Sequence, residues 1–461
     1  MNYSEAIAYI QSFPDMERAT YGARGPTMGL PSMRALLERM GNPQLGRHTI
    51  HIAGSKGKGS TSTMIARILN EAGLSVALYT SPHLFDYCER ISFGSKPVDR
   101  DRFAKGIQEI KPFLEAERAA GNNTISTFGI LTALFFHLVN HAKPAVDWQV
   151  VEVGIGGRYD VTNVFASKEI AVITPISLEH TEILGATQTE IAANKAGIIT
   201  PQCTVVLAPQ KDQGARTAIG RRCGEAHAKL VDVAREYKIR VEKQDLNGQR
   251  FSLGIGQNNL SLFTPMLGAH QVTNAATSAA VALALREQGV PISDEQIKSG
   301  IEKTVVPGRF EIISGISNGQ RTGEPLIVVD AAHNHESAQA LAEGLKTFFG
   351  ISSCIFVLGL NTDKNISAIW KQLLGLSKVC IATRSQNPRS MNPHDIAEVV
   401  STFGSTTADV RVADSIPQAI EQARQIAGAD DVICITGSIY VVGEALEHVL
   451  KGKKGNVASS R

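Results

Sequence analysis

Short apolar, β-branched runs recur along the chain with helix-period segments between most of them. That alternation restricts the fold more than any single motif. The runs are Thr49–Ala53, Ser75–Thr80, Trp148–Val153, Ile170–Thr174 and Thr204–Ala208, then Leu326–Asp330, Cys354–Leu358, Val379–Thr383 and Val432–Thr436. Helical spacing marks Ser60–Glu71, Phe128–His141, Asn274–Glu287, Ser337–Phe349 and Ile416–Ile426. Strands buried on both faces read as continuous apolar runs, and parallel neighbours need a crossover, usually a helix. The pattern therefore predicts an α/β fold: two open, mostly parallel sheets with flanking helices. A chain of 461 residues exceeds one ordinary domain. Pro307 and Gly308 separate a helical pattern from a new strand series, so the expected domains are 1–306 and 307–461. Ser314–Pro325, rich in Gly, Ser and Asn, reads as a hairpin or loop, and the basic tail Lys451–Arg461 reads as a frayed end.

Charge excludes whole classes of partner. Lys plus Arg number 46 and Asp plus Glu 44, a net +2. Such a balance carries no electrostatic footprint for nucleic acid or an anionic membrane surface. The six cysteines form no CxxC pair, which argues against structural zinc. In a large chain without an export signal they read as reduced thiols, with Cys354, Cys380 and Cys434 as core fillers. The N-terminus lacks a signal-peptide pattern, and the longest apolar stretch, Ile130–Val139, is half a membrane span. The expectation is a cytoplasmic protein.

The strongest local signal is His51-Ile-Ala-Gly-Ser-Lys-Gly-Lys-Gly-Ser60. A β-run ends at Ala53, a glycine-rich loop follows, and a helical pattern begins at Ser60. Gly54, Gly57 and Gly59 allow tight turns that aim N–H groups inward, and a helix N-terminus behind them favours an anion. Lys58 would reach β and γ phosphates, with the Ser60 hydroxyl near a metal. The strict Walker pattern fails: Ile52 stands where Gly is required, and Gly59 where Ser or Thr is required. A plain glycine-rich turn is the competing reading.

Other candidates follow later strands. Glu152 interrupts an apolar run and precedes Gly154-Ile-Gly-Gly157. A carboxylate there is costly unless paired, capped by backbone N–H groups or metal-bound, and Mg²⁺ is satisfied by one or two carboxylates plus substrate phosphates. The glycines lack the full dinucleotide fingerprint. His180 reads as a metal ligand or a hydrogen-bonded histidine, and Lys195 as functional or as an exposed helical lysine. Asp330-Ala-Ala-His-Asn334 ends an apolar strand, where ligands bind in open α/β sheets. Arg309 contacts phosphate or forms an interface ion pair. His333 and His335 do not make a metal site.

Taken together and in this order, the motifs resemble the folylpolyglutamate synthase/dihydrofolate synthase family of the Mur ligase superfamily. The resemblance adds Tyr79-Thr-Ser-Pro-His-Leu84 with Glu89-Arg-Ile91, similar to its Ω-loop, and Ser177–Gly185, Lys195–Ile199, Pro307–Glu311 and Thr436-Gly-Ser-Ile-Tyr440. It implies a P-loop ATPase domain followed by a smaller Rossmann-like domain that binds glutamate. It also implies a reaction. ATP phosphorylates an acceptor carboxylate, and the α-amine of L-glutamate displaces phosphate from the acyl phosphate. A carboxylate resists attack because it is anionic; phosphorylation supplies a leaving group while metal ions offset phosphoryl charge.

Carried over, Lys58 with Gly54, Gly57, Gly59 and Ser60 holds the ATP phosphates. Ser81 and Glu152 ligate one Mg²⁺, and Glu152 with His180 a second. Lys195 matches a lysine that is carbamylated in this family. Asn274 and Arg309 match nucleotide contacts, Asp330 a ribose or monovalent-cation contact, and His333 a glutamate contact; Arg90 and Ser438 join His333 in substrate binding. Lys58, Lys195 and His333 are the expected catalytic residues. The implied partners are folate or dihydropteroate and L-glutamate, acted on by a monomer. Ser55, Glu179 and Gly129 depart from the Thr, Asp and Glu usual in the family, and Tyr21–Pro31 resembles an acceptor-site loop loosely. Another Mur-type amide ligase, for cyanophycin or a cell-wall precursor, and a non-ligase P-loop nucleotide switch remain as alternatives.

Overall fold

The computed structural model describes residues 1–15, 29–121, 124–317, 320–351, 353–403 and 409–458. Of the Tyr21–Pro31 segment, residues 21–28 lie outside the described residues. The chain divides into two compact units: Met1–Glu242 with Arg250–Thr264 and Gln271–Thr304, and Lys243–Gln249 with Pro265–His270 and Val305–Arg461.

In the first unit, β1 (His48–Ala53), β2 (Val76–Tyr79), β3 (Ile91–Phe93), β4 (Lys96–Pro97), β5 (Trp148–Glu152), β6 (Ile170–Ile173), β7 (Thr204–Leu207) and β8 (Lys229–Asp232) form one sheet. Its order is β4-β3-β2-β5-β1-β6-β7-β8. All neighbours pair parallel except the β2–β3 and β3–β4 pairs at one edge. The apolar runs are buried as fully as continuous hydrophobicity predicts: β2, β5, β6 and β7 have no exposed residue. Because β1 lies between β5 and β6, with Ile52 level with Glu152 and Ala53 level with Ile173, three strands end side by side. That common edge sets where the glycine loop, Glu152 and the segment after β6 emerge.

Two cores support this sheet. One joins Tyr79 and Val151 to the helices Tyr3–Gln11, Gly29–Arg39, Arg100–Ala119 and Thr127–Asn140 through Ile10, Leu36, Phe103, Ile107, Phe135 and Phe136. The other joins Ala171, Ile173 and Val205 to Gln188–Lys195 and Gln213–Glu225. Strands β9 (Lys238–Asp245), β10 (Gly248–Ile255) and β11 (Asn258–Thr264) form a separate three-stranded sheet.

The second unit is built on β12 (Glu311–Ser314), β15 (Leu326–Asp330), β16 (Cys354–Leu358), β17 (Ser377–Ala382), β18 (Asp409–Val412) and β19 (Val432–Thr436). Between the first two, β13 (Ile316–Ser317) and β14 (Gln320–Arg321) pair antiparallel, which makes Ser314–Pro325 a hairpin. The six-stranded order is β12-β15-β19-β16-β17-β18, parallel apart from β12. Phe356, Trp370, Leu341 and Cys434 lie in its core. All six cysteines are free and buried.

Helix Ile439–Ala458 is the last element of the second unit. Its N-terminal part is anchored by the buried Val441, Val442, Ala445 and Leu446. Among the described residues, no helix is long and apolar enough to cross a membrane.

Candidate active site

The glycine loop takes its shape from two glycines. Gly54 has φ 152°, and a Cβ there would lie 1.8 Å from Thr174 Oγ1; Gly57 has φ 81°, and a Cβ would lie 2.2 Å from Asn274 Oδ1. Only a residue without a side chain permits these approaches. The loop is pinned from below, since the Ser55 and Lys56 N–H groups both donate to Pro175 O and Ser55 Oγ donates to Ser177 O. Helix Lys58–Glu71 starts directly from Gly57, with no side chain capping its first amides. Helices elsewhere in the chain are capped by Asp99, Ser126, Thr187, Asp212 and Asn334. Uncapped amides behind a glycine loop form an anion site. Lys58 Nζ donates to Gly54 O at 3.1 Å, which folds its ammonium over the loop, and Ser60 is buried in the first helical turn.

Glu152 reaches this loop from β5. It is buried, accepts the Ser81 N–H at 3.1 Å, and would lie 3.5 Å from a Cβ on Gly59. The backbone-capped reading of Glu152 is therefore right as far as one oxygen goes, and a metal would be a further partner. Ser81 stands at the start of a loop in which Glu89 accepts the N–H groups of Leu84, Phe85 and Asp86. Arg90, at the far end, is buried and donates to His83 Nδ1 at 2.8 Å.

Lys195 is not the exposed helical lysine of the bland reading: its side chain is 1% exposed. Nζ donates to Glu179 Oε1 and to Gly54 O, both at 2.8 Å. Burial works against the Glu179 charge, but Lys195, Lys58 and Lys56 outweigh it and hold the carboxyl well below the usual range. Burial, reinforced by Lys58 and opposed by Glu179, loosens the proton on Lys195. His180 follows at φ 46°, beginning the short helix Thr181–Leu184. Asn274 donates to Gln271 Oε1 and rests against Gly57.

In the second unit, Arg309, Asp330, His333 and Ser438 gather near the carboxyl ends of β15 and β19, where Asp330 and Thr436 are register partners. Asp330 Oδ2 accepts the Phe310 N–H at 2.8 Å; burial raises its carboxyl from 3.8 to about 6, with Arg309 opposing. His333 Nδ1 lies 2.8 Å from Ala331 O, and Ser438 Oγ accepts the Tyr440 N–H.

The first unit thus assembles Gly54, Gly57, Lys58, Gly59, Ser60, Ser81, Glu152, Lys195 and Asn274 around one loop. Glu179 was noted in the sequence only as a departure from Asp; an acid beside His180 just after a strand was the available signal. Among the described residues, no three or more His, Cys, Asp or Glu side chains make a metal cage by themselves. Mg²⁺ needs none when phosphates complete its shell, so Glu152 beside the side-chain-free Gly59 fits it.

The Mur ligase middle-domain model matches residues 52–282, and the Mur ligase glutamate ligase domain matches residues 308–439. The chain is 30% identical to dihydrofolate synthase/folylpolyglutamate synthase of Bacillus subtilis, over 91% of this chain and 94% of that one. It is 30% identical to folylpolyglutamate synthase of Lacticaseibacillus casei, over 98% of this chain and 100% of that one. The fold matches Mycobacterium tuberculosis folylpolyglutamate synthase complexed with ADP and AMPPCP, with TM-score 0.85, 28% identity, and coverage of 97% and 98%. Fold and family matches together define an ATP-dependent Mur-type ligase. The chain belongs to the dihydrofolate synthase/folylpolyglutamate synthase family.

Proposed function

We propose that this protein joins L-glutamate to folate, extending tetrahydrofolyl-polyglutamate, and to dihydropteroate, making dihydrofolate, through an acyl phosphate formed with ATP in the cytoplasm. The observation that carries the reading is the uncapped helix start at Gly57 with Lys58, Glu152 and Lys195 converging on one glycine loop. The loop amides and Lys58 hold the β and γ phosphates. Ser81, Glu152 and His180 hold two Mg²⁺ ions, which when bound offset charge on the transferring phosphoryl. Asn274, Arg309 and Asp330 contact the nucleotide, with Asp330 open to a ribose or a monovalent cation. Arg90, His333 and Ser438 contact the acceptor or glutamate. The division into 1–306 and 307–461 is supported by two separate family matches and by two compact units, except that Lys243–Gln249 and Pro265–His270 group with the second.

Lys195 carries its carbamate once its amine leaves Glu179 and Gly54 O; burial, which favours the neutral amine, supports that chemistry. Isotope-labelled bicarbonate would reveal the carbamate carbon by NMR.

The direct test is transfer of radiolabelled glutamate, with Mg-ATP, to dihydropteroate or tetrahydrofolate. Transfer to both is expected, and transfer to neither ends the reading. Lys58→Ala and Glu152→Ala are expected to lower turnover at least a hundredfold while the fold is retained by circular dichroism. Near-normal turnover in either removes that residue from the site.

A further inference from the structure

Beneath the turn Gly154–Gly157 lies a line of buried polar groups that the reaction itself does not use. His51, in the middle of β1, has no solvent exposure, and Lys168, just before β6, is 6% exposed. Lys168 Nζ lies 2.9 Å from His51 Nδ1, and His51 Nε2 lies 2.9 Å from Thr162 Oγ1. Thr162 Oγ1 donates to Asp160 Oδ1 at 2.5 Å. Asp160 also accepts the Thr162 N–H at 2.9 Å and, through Oδ2, the Ile155 N–H at 3.0 Å.

These bonds have a direction. An ammonium has donors and no lone pair, so a protonated Lys168 makes Nδ1 the acceptor and leaves the imidazole proton on Nε2. Nε2–H then donates to Thr162, whose own proton goes to Asp160, leaving that carboxyl an acceptor. An acceptor at Lys168 would reverse the imidazole and deny Thr162 its donor. The groups facing Lys168 are His51, the Phe165 ring and Cys203; Glu169, next along the chain, is engaged by His48 and the Thr49 N–H.

The far end of the line touches the machinery. The turn held by Asp160 packs against the end of the helix carrying Lys195: a Cβ on Gly157 would lie 2.6 Å from Lys195 O, and the Arg158 N–H donates to Asn194 O at 2.9 Å. Glu152 ends β5 two residues before the same turn. We propose that Lys168, His51 and Thr162 form a one-way hydrogen-bond relay that keeps Asp160 an acceptor under this turn, and so are positioning residues for Glu152 and Lys195. The proposal rests on the ligase reading above.

Nitrogen NMR of histidine-labelled protein at pH 6 reads the relay directly, with the His51 signal identified by its loss in His51→Gln. The expected result is a neutral imidazole protonated on Nε2. A wild-type His51 protonated on Nδ1, or on both nitrogens, overturns the relay. In Lys168→Met the Nδ1-protonated form should appear, and an unchanged tautomer removes Lys168 from the relay. Kinetics supply the second readout. Thr162→Val, which keeps shape and loses the hydroxyl, should lower kcat about tenfold with KM for MgATP within about twofold, while Thr162→Ser stays within about twofold in both. Equal kcat in the two variants overturns the positioning role. A wild type that transfers no glutamate removes the ligase reading instead, since the imidazole polarity is measured without turnover.

Discussion

The pair Lys195–Glu179 places two charges 2.8 Å apart, the lysine fully buried and the carboxylate side chain 13% exposed, with Gly54 O as the lysine's other partner. Removing one member leaves the other uncompensated, which costs more than the pair contributes. Glu179→Gln should therefore destabilise the fold by about 3 kcal/mol at pH 7 in urea unfolding. The sign with pH is determined by Glu179 being held below its ordinary 4.5. Its contribution is present above that value and lost as pH falls, so the deficit of Glu179→Gln should shrink in acid. Asp330 has the opposite sign. Its carboxyl is raised from 3.8 to about 6, so the folded state binds more protons in that window and stability falls as pH rises through it. Asp330→Asn keeps an oxygen for the Phe310 N–H and removes the titration. Relative to wild type it should gain stability from pH 4 to pH 6, and a parallel pH profile would contradict the burial argument.

At the scale of elements, two helical glycines separate packing from propensity. Gly300, in helix Asp294–Glu302, lies so close to helix Lys58–Glu71 that a Cβ would sit 2.5 Å from Ile68 Cα. Alanine favours a helix by about 1 kcal/mol over glycine, but overpacking against backbone costs about 1–3 kcal/mol. Gly300→Ala should therefore destabilise. Gly220, in helix Gln213–Glu225, meets nothing within 4 Å, so Gly220→Ala should stabilise by up to about 1 kcal/mol. Equal shifts in the two variants would show that the helices are not packed as described. The same contrast explains what was legible beforehand. Runs such as Leu326–Asp330 and Val432–Thr436 were readable to the residue because buried parallel strands carry continuous hydrophobicity. Helix Arg100–Ala119 was not, since its Pro112 and many charges mask one apolar stripe. The glycine loop was legible from spacing. The line from Lys168 to Asp160 was not, because it joins segments that only the strand order β5-β1-β6 brings together; nor was the Lys195–Glu179 pair, whose members lie 16 residues apart between β6 and β7 and meet only once helix Gln188–Lys195 packs back.

For the whole molecule, the two tryptophans provide a reporter for each unit. Trp148 is buried in β5 of the first, and Trp370 in the core of the second. A ligand that binds the folded state alone raises stability by RT ln(1 + [L]/Kd), about 2.7 kcal/mol at a hundredfold excess over Kd. The glycine loop proposed to hold the phosphates belongs wholly to the first unit, so a non-hydrolysable ATP analogue with Mg²⁺ should move the Trp148 transition to higher urea. Trp370→Phe isolates that signal, and Lys58→Ala in the same background should abolish the shift. The companion variant Trp148→Phe, read through Trp370, tests separately whether Arg309 and Asp330 help to hold the nucleotide. A Trp148 midpoint that stays put at saturating analogue would detach the glycine loop from phosphate binding, because no folded-state ligand can bind tightly there without leaving its free energy in that transition.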